Sequence, residues 1–298
     1  KAGYEIVTLD NLSNGHQDAV LYGKFELCDI LNTTKLDKLF KKYKPNAVIH
    51  FSGHSLVNES MTDPYKYYNN NVSGTLNLLK AMIDNNCMKF IFSSSAAIFG
   101  SPKYIPIDED HPKKPINPYG KSKLMVEEIL KDFESAYGLK FVSFRYFNAV
   151  GHDPEGELSE RHDPETHLLP IIMQAVNGKK DSVRIFGNDY NTKDGTCVRD
   201  YIHVNDLADA HLKGLDYLNQ SESTSTEFNL GNGNGFSVHE VIQLVKDITG
   251  KDFITKEEGR RDGDPSTLIA SDEKARKILG FQANFSSLEK IIKTLVPK

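Results

Sequence analysis

Tyr119 and Lys123 stand four residues apart in Pro118-Tyr-Gly-Lys-Ser-Lys123, a spacing that puts two side chains on one face of a helix. A phenol with its ordinary pKa of about 10 is a poor base at neutral pH, but a neighbouring ammonium favours the phenolate. Such a pair can take a proton from a sugar hydroxyl. Alone, it is ordinary, since a Tyr and a Lys at this spacing more often only pack on a helix surface. Its weight rises with Lys89-Phe-Ile-Phe-Ser-Ser-Ser95, an apolar run ending in three hydroxyls. Ligands of open α/β sheets bind at the carboxyl ends of strands. Ser95 then stands where it can share a proton between substrate and Tyr119; serines that simply end a strand are the alternative.

These side chains need a scaffold. Near-continuous apolar runs at 4–10, 47–52, 89–95 and 141–146 read as strands covered on both faces. Helical periodicity occupies 34–43, 64–86 and 118–137 between them. Strands alternating with helices imply crossover units and a doubly wound, Rossmann-type parallel sheet. From about residue 149 the sequence becomes richer in Gly, Asp, Pro and His, with a helix near 168–177 and shorter α/β pieces. The expected division is a dinucleotide-binding domain over 1–148 and a smaller α/β substrate-binding domain over 149–298, with segments near 183–217 free to return to the first. Gly231-Asn-Gly-Asn-Gly235 lacks the spacing of a phosphate loop and reads as a tight turn.

Lys1-Ala2-Gly3 reads as a helix end feeding the strand 4–10, which finishes in Asp10. An acidic residue at the end of the second strand holds the adenosine ribose in dinucleotide-binding folds, about 20 residues after the glycine fingerprint. No such fingerprint precedes Lys1. The expectation is a sheet lacking its first strand, in a chain that by itself holds the dinucleotide weakly, without a helix N-terminus under the pyrophosphate.

Composition narrows the function classes. The 298 residues are 39% hydrophobic and 26% charged, which is ordinary for a globular protein. A net charge of −5 with no Lys/Arg run disfavours nucleic acid as a partner. No apolar stretch reaches the roughly 18–20 residues of a membrane span and no leader opens the chain, so a cytoplasmic location is expected. Cys28, Cys87 and Cys197 are isolated thiols. His162 and His167 suggest a metal pair, but a third ligand is missing from the pattern and no metal is expected.

Ser95, Tyr119 and Lys123, on strand and helix in this order, resemble the catalytic trio of the extended short-chain dehydrogenase/reductase superfamily. Within it the chain resembles the UDP-glucose 4-epimerases over nearly its whole length. The likeness rests on His50-Phe-Ser-Gly-His-Ser-Leu-Val57, Tyr67-Tyr-Asn-Asn-Asn-Val-Ser-Gly-Thr75, Ser93-Ser-Ser-Ala-Ala-Ile-Phe-Gly100 and Arg145-Tyr-Phe-Asn148. Pro164-Glu-Thr-His-Leu-Leu-Pro170 and Asp194-Gly-Thr-Cys-Val-Arg-Asp-Tyr-Ile-His-Val204 continue it.

The resemblance implies NAD as cofactor, with Asp10 and Asn11 at the adenosine ribose and Asp29 and Ile30 beside the adenine. Phe51, Ser52 and Gly53 would line the cofactor, and Asn70, Lys123 and Phe147 would complete its nicotinamide side. Asn148, His167, Leu168, Arg199, Tyr201, Arg261 and Asp264 match positions that hold the nucleotide diphosphate, a task that suits the planar donors of Arg. The implied reaction inverts C4 of a UDP-hexose through a 4-keto sugar, in a homodimer joined through the helices 64–86 and 118–137.

Some positions depart from the family pattern. A lysine of some members is Ser55 here, and a substrate-contacting Asn is His167. The bulky Tyr of members that reject N-acetylated sugars aligns with Leu268, which leaves room for UDP-GlcNAc and UDP-GalNAc. A 4,6-dehydratase needs acids after the catalytic hydroxyl, and Ser95-Ala96-Ala97 has none. An epimerase of another UDP-sugar and a non-catalytic nucleotide-sugar-binding protein on the same fold remain the rival readings.

Overall fold

A computed structural model describes residues 2–296. Lys1, part of the expected helix end, lies outside the described residues, as do Pro297 and Lys298. The first half runs β1 (Val7–Asp10), β2 (Lys24–Leu27), α1 (Thr33–Tyr43), β3 (Val48–His50), α2 (Val57–Thr62), α3 (Pro64–Tyr67), α4 (Thr75–Asp84), β4 (Lys89–Ser95), α5 (Pro118–Tyr137) and β5 (Lys140–Tyr146). The second runs β6 (Asn148–Val150), α6 (Leu168–Val176), β7 (Ser182–Phe186), β8 (Val198–His203), α7 (Val204–Leu218), β9 (Thr226–Leu230), β10 (Gly235–Ser237), α8 (Val238–Thr249), β11 (Ile254–Glu258), β12 (Thr267–Leu268), α9 (Glu273–Leu279) and α10 (Leu288–Leu295).

Strand β4 shows why its sequence is continuously apolar. Side chains alternate between faces along a strand. Phe90 and Phe92 enter a core with Leu36 and Phe40 of α1, Leu79 and Met82 of α4, and Val126 and Leu130 of α5. Ile91 enters the opposite core, with Phe144 of β5, Phe228 of β9, Ala210 of α7 and Ala275 of α9. Helices therefore cover both faces of a four-stranded parallel sheet in the order β3-β4-β5-β9. Parallel β1 and β2 pair with each other in a separate two-stranded sheet. This is the expected doubly wound α/β architecture.

In the second half, β8 pairs with β6, β10 and β12, while β7 pairs with β11. Of the region near 183–217, β7 lies outside the four-stranded sheet, whereas α7 packs on β4 and β5. Helices α6, α8 and α10 close a third core around Val183, Ile185 and Tyr201. The Gly231–Gly235 turn wraps a carboxylate of its own chain. The amides of Asn232 and Gly233 donate to Asp200 at 2.8 and 3.0 Å, and Ala270 adds a third at 3.0 Å. A Cβ on Gly231 would stand 2.5 Å from Asp200 Oδ2, so only glycine fits.

Some expected bounds shift. The strand expected over 4–10 starts at Val7, and the helix expected over 64–86 ends at Asp84 with a π-helical stretch at Tyr68–Gly74. Such stretches re-aim side chains and are frequent at functional sites. Among the described residues, no helix is long and apolar enough to cross a membrane.

One buried ion pair joins the layers. Arg145 of β5 donates twice to Glu127 of α5, at 2.9 and 2.8 Å, with both side chains fully inaccessible. Ser94 of β4 donates to the same carboxylate at 2.7 Å. Removing one partner of a buried pair strands the other charge, at a cost of about 3–5 kcal/mol. Glu127→Leu is therefore expected to lower unfolding free energy by about that amount in urea denaturation. Unchanged stability would show that the guanidinium finds another partner.

Candidate active site

Helix α5 begins where a sequence reader would start it. Asn117 accepts from the Gly120 amide at 2.8 Å, and Pro118 takes the first position, where its missing N–H costs nothing. Gly120 lets this helix start rest on the chain just past β4: a Cβ there would meet the Ala97 carbonyl oxygen at 2.5 Å. That contact brings Tyr119 against the end of β4, where Ser95 Oγ also accepts from the Ala97 amide at 3.1 Å. The Tyr67 ring meets the Tyr119 ring edge-on, with centroids 6.4 Å apart.

Lys123 lies one turn further on, buried, and donates to the Ser93 carbonyl at 2.7 Å. Its ammonium is 4.9 Å from the Phe92 ring centre and 5.9 Å from that of Tyr119. Burial draws its pKa down to about 8. Burial also pushes the Tyr119 phenol up, opposed by a hydrogen bond with Ser95. The expected lowering of the phenol by Lys123 is thus not what the protein alone displays. Desolvation wins because the ammonium is engaged with Ser93 rather than with the phenol oxygen.

A pocket opens beside this trio at the carboxyl ends of β1 and β3. It brings together Asp10, Asn11, Ile30, Phe51, Ser52, Gly53 and Asn70 of the expected residues. Asp29 stands behind Asn11, whose side-chain amide donates to it at 2.9 Å. Lys123 closes the floor: a Cβ on Gly53 would stand 3.1 Å from its Nζ. Asp10 accepts from the Leu12 amide at 2.6 Å, and a Cβ on Gly15 would press on the Asp10 carboxylate at 2.8 Å. Phe147 lies outside this lining, buried among Ala96, Ile98 and Phe99, with Leu268 packed on the same cluster.

Sequence reading missed several residues of the site. Ser13, Asn14, Gly15, Cys28 and His54 also line the pocket. Asn71, aimed inward from the π-helical stretch, accepts from the His54 amide at 2.9 Å and donates to Ser122 Oγ at 3.0 Å. The available signal was the Asn69-Asn70-Asn71 triplet, whose amides are unusual on a helix beside a core.

The remaining expected residues fall mainly on a second wall. Asn148 of β6 sits opposite Tyr201 of β8, and Leu268 of β12 opposite Arg199. Arg199 donates to the Val198 carbonyl at 3.0 Å and lies 3.7 Å from the Asp264 carboxylate. Arg261 stacks 3.7 Å above the centre of the Phe186 ring. Between them, a Cβ on Gly263 would stand 3.8 Å from the Asn117 Cβ, so this arginine-bearing loop passes close to the start of α5. Leu168 opens α6, with His167 before it as an N-cap whose side chain does not cap. The expectation that His162 and His167 lack further donors fails, because the loop folds Glu160 and Glu165 against both imidazoles.

Known proteins resemble the chain in sequence and fold. Residues 1–231 match the model of the NAD dependent epimerase/dehydratase family. The UDP-glucose 4-epimerase of Lacticaseibacillus casei is 48% identical over 294 residues, which cover 98% of this chain and 88% of that protein. The crystal structure of UDP-glucose 4-epimerase from Brucella ovis in complex with NAD is similar with a TM-score of 0.94 at 47% identity, covering 98% of this chain and 90% of that one. The UDP-Glc/GlcNAc 4-epimerase of Campylobacter jejuni is similar with a TM-score of 0.82 at 43% identity, covering 97% and 90%. By this sequence match and by its fold, the chain belongs to the NAD dependent epimerase/dehydratase family.

Proposed function

We propose that this protein is an NAD-dependent 4-epimerase that interconverts UDP-glucose and UDP-galactose. The observation that carries the reading is the Tyr119 phenol, hydrogen-bonded to Ser95 and one helical turn from a buried Lys123, beside a pocket whose Asp10 carboxylate suits ribose hydroxyls. Relatives named UDP-glucose 4-epimerase at up to 48% identity support it.

The pocket chemistry fits NAD. Asp10 and Asn11 offer acceptors to the adenosine ribose, and Asp29 and Ile30 flank the base. Gly53 leaves Lys123 open to the second ribose, while Phe51, Ser52 and Asn70 shape the nicotinamide end, with Phe147 buried outside the lining. Held by these residues, NAD would supply the acceptor and donor of hydride at C4 of the sugar. Tyr119 accepts the proton of the C4 hydroxyl, with Ser95 sharing it, and gives it back to the oxygen of the 4-keto sugar. Lys123 holds positive charge near the phenol oxygen while it is ionised. Arg199 and Arg261, whose donors suit phosphate oxygens, hold the nucleotide diphosphate together with Asn148, His167, Leu168, Tyr201 and Asp264. A sugar held less firmly than its UDP can turn to present its other face.

A copy assembled with itself is the quaternary reading, through α4 and α5, where Leu76 and Met125 are exposed. A cytoplasmic location agrees with three free cysteines, which reducing compartments preserve.

Tyr119→Phe is expected to lower kcat for UDP-galactose by about 10²–10⁴-fold, and full-speed turnover would sink the mechanism. Lys123→Met removes a cation that favours the phenolate, so the rise of kcat with pH should move to higher pH. An unmoved profile assigns Lys123 to cofactor binding alone. Because Leu268 is smaller than Tyr, conversion of UDP-GlcNAc is expected. Leu268→Tyr should depress it about tenfold or more while sparing UDP-galactose, following the differential cost of a filled pocket.

A further inference from the structure

The loop that leads into α6 gathers four metal-ligating groups within eight residues: Glu160, His162, Glu165 and His167. Their ligand atoms all lie within 4.8 Å of one another. His162 Nδ1 is 3.0 Å from Glu160 Oε1 and 3.6 Å from Glu165 Oε2. His167 Nδ1 is 3.1 Å from Glu160 Oε1 and 2.9 Å from Glu165 Oε1.

These separations can be compared with a coordination shell. Bonds of about 2.0–2.1 Å from Zn(II) to nitrogen and oxygen imply tetrahedral edges of about 3.3 Å. The imidazole–carboxylate separations, which involve both Glu165 oxygens, fall on either side of that length and every ligand pair lies within 4.8 Å, so contraction of the cluster would complete the shell. Simple hydrogen bonding explains the arrangement less well. Each Nδ1 carries one N–H, yet each faces both carboxylates, and the two imidazoles face each other with centroids 5.1 Å apart.

The surroundings are those of a prepared site. Glu165 is the least accessible of the four at 5% and Glu160 follows at 15%, with the imidazoles half exposed outside them. The amides of Thr166 and His167 both donate to Glu165 Oε1 at 2.8 Å, which orients the carboxylate in the manner of outer-shell support for metal ligands. Two imidazole nitrogens with two carboxylates favour a borderline transition metal over Mg(II) or Ca(II), which prefer oxygen shells. Two carboxylates also balance the charge of a divalent ion.

We infer that Glu160, His162, Glu165 and His167 bind one divalent transition-metal ion of the Zn(II) class, which clips this loop in place. The loop has two attachments worth fixing. Arg161 makes a bidentate pair with Asp18 at 2.8 and 2.9 Å, and its carbonyl accepts from His16 at 3.1 Å, tying it to the segment after β1. At its other end His167 and Leu168 begin α6. A bound ion would hold the segment after β1 and the amino end of α6 in fixed register, independently of the chemistry at Tyr119.

The test is a Co(II) titration of tag-free, metal-stripped full-length chain, read by the visible bands of four-coordinate Co(II), followed by Zn(II) competition. Saturation at one ion per chain, displaced by Zn(II), is expected. His162→Gln and Glu160→Gln, each checked for native circular dichroism, should weaken binding about tenfold or more. Failure of wild type to saturate, wild-type affinity in both variants, or the thiolate charge-transfer bands of a cysteine-bound ion would overturn the site. Displacement by Mg(II) as effective as by Zn(II) would overturn its ligand chemistry.

Discussion

The salt bridge between Arg145 and Glu127 is the constraint on which the site depends. It is buried on both sides and spans β5, α5 and, through Ser94, β4. A charge pair in a dry interior tolerates little displacement, because each partner left alone pays its full desolvation cost. The residue after Ser94 is Ser95, and the helix that carries Glu127 also carries Tyr119 and Lys123. A polar bond in the core thus fixes the separation of the proton-handling groups without touching them.

Close approach supplies the second constraint. Gly120 brings the start of α5 onto the Ala97 carbonyl, and Gly53 lies over Lys123. Side chains at either place would separate the phenol from Ser95 or cover the ammonium. The resulting small, dry space pushes the phenol up and draws the ammonium down to about 8. In such a space the charged forms of both groups are held back until a partner arrives, so ligand binding and proton transfer are coupled by the same desolvation. Asp200 follows the same physics with a different result. Burial pushes it up to about 6 against three backbone amides that pull it down, and its task is to organise the glycine turn.

The second wall approaches the first through the loop that bears Arg261, Gly263 and Asp264, where a side chain at Gly263 would meet Asn117 at the cap of α5. A phosphate group held by these arginines would press on the helix that carries the tyrosine. Binding energy from a part of the substrate that does not react can in this way align the part that does.

Much of this was legible in the residues. The strand over 89–95 and the helix over 118–137 appear at the expected bounds, because local propensity and two-sided burial agree there. The Ser95, Tyr119 and Lys123 constellation follows from those two elements. Strand β2 was missed, since Lys24-Phe-Glu-Leu27 is short, half charged and stabilised by pairing with β1. The π-helical stretch that aims Asn71 inward was equally hidden, as its hydrogen bonds go to residues distant in the chain. Periodicity and side-chain chemistry, being local, determined the layer architecture and the identity of the reactive groups. Burial and long-range contact decided the rest: that desolvation outweighs the ammonium at Tyr119, that Glu127 pairs with Arg145, and that two glutamates close on two histidines that the linear pattern left without partners.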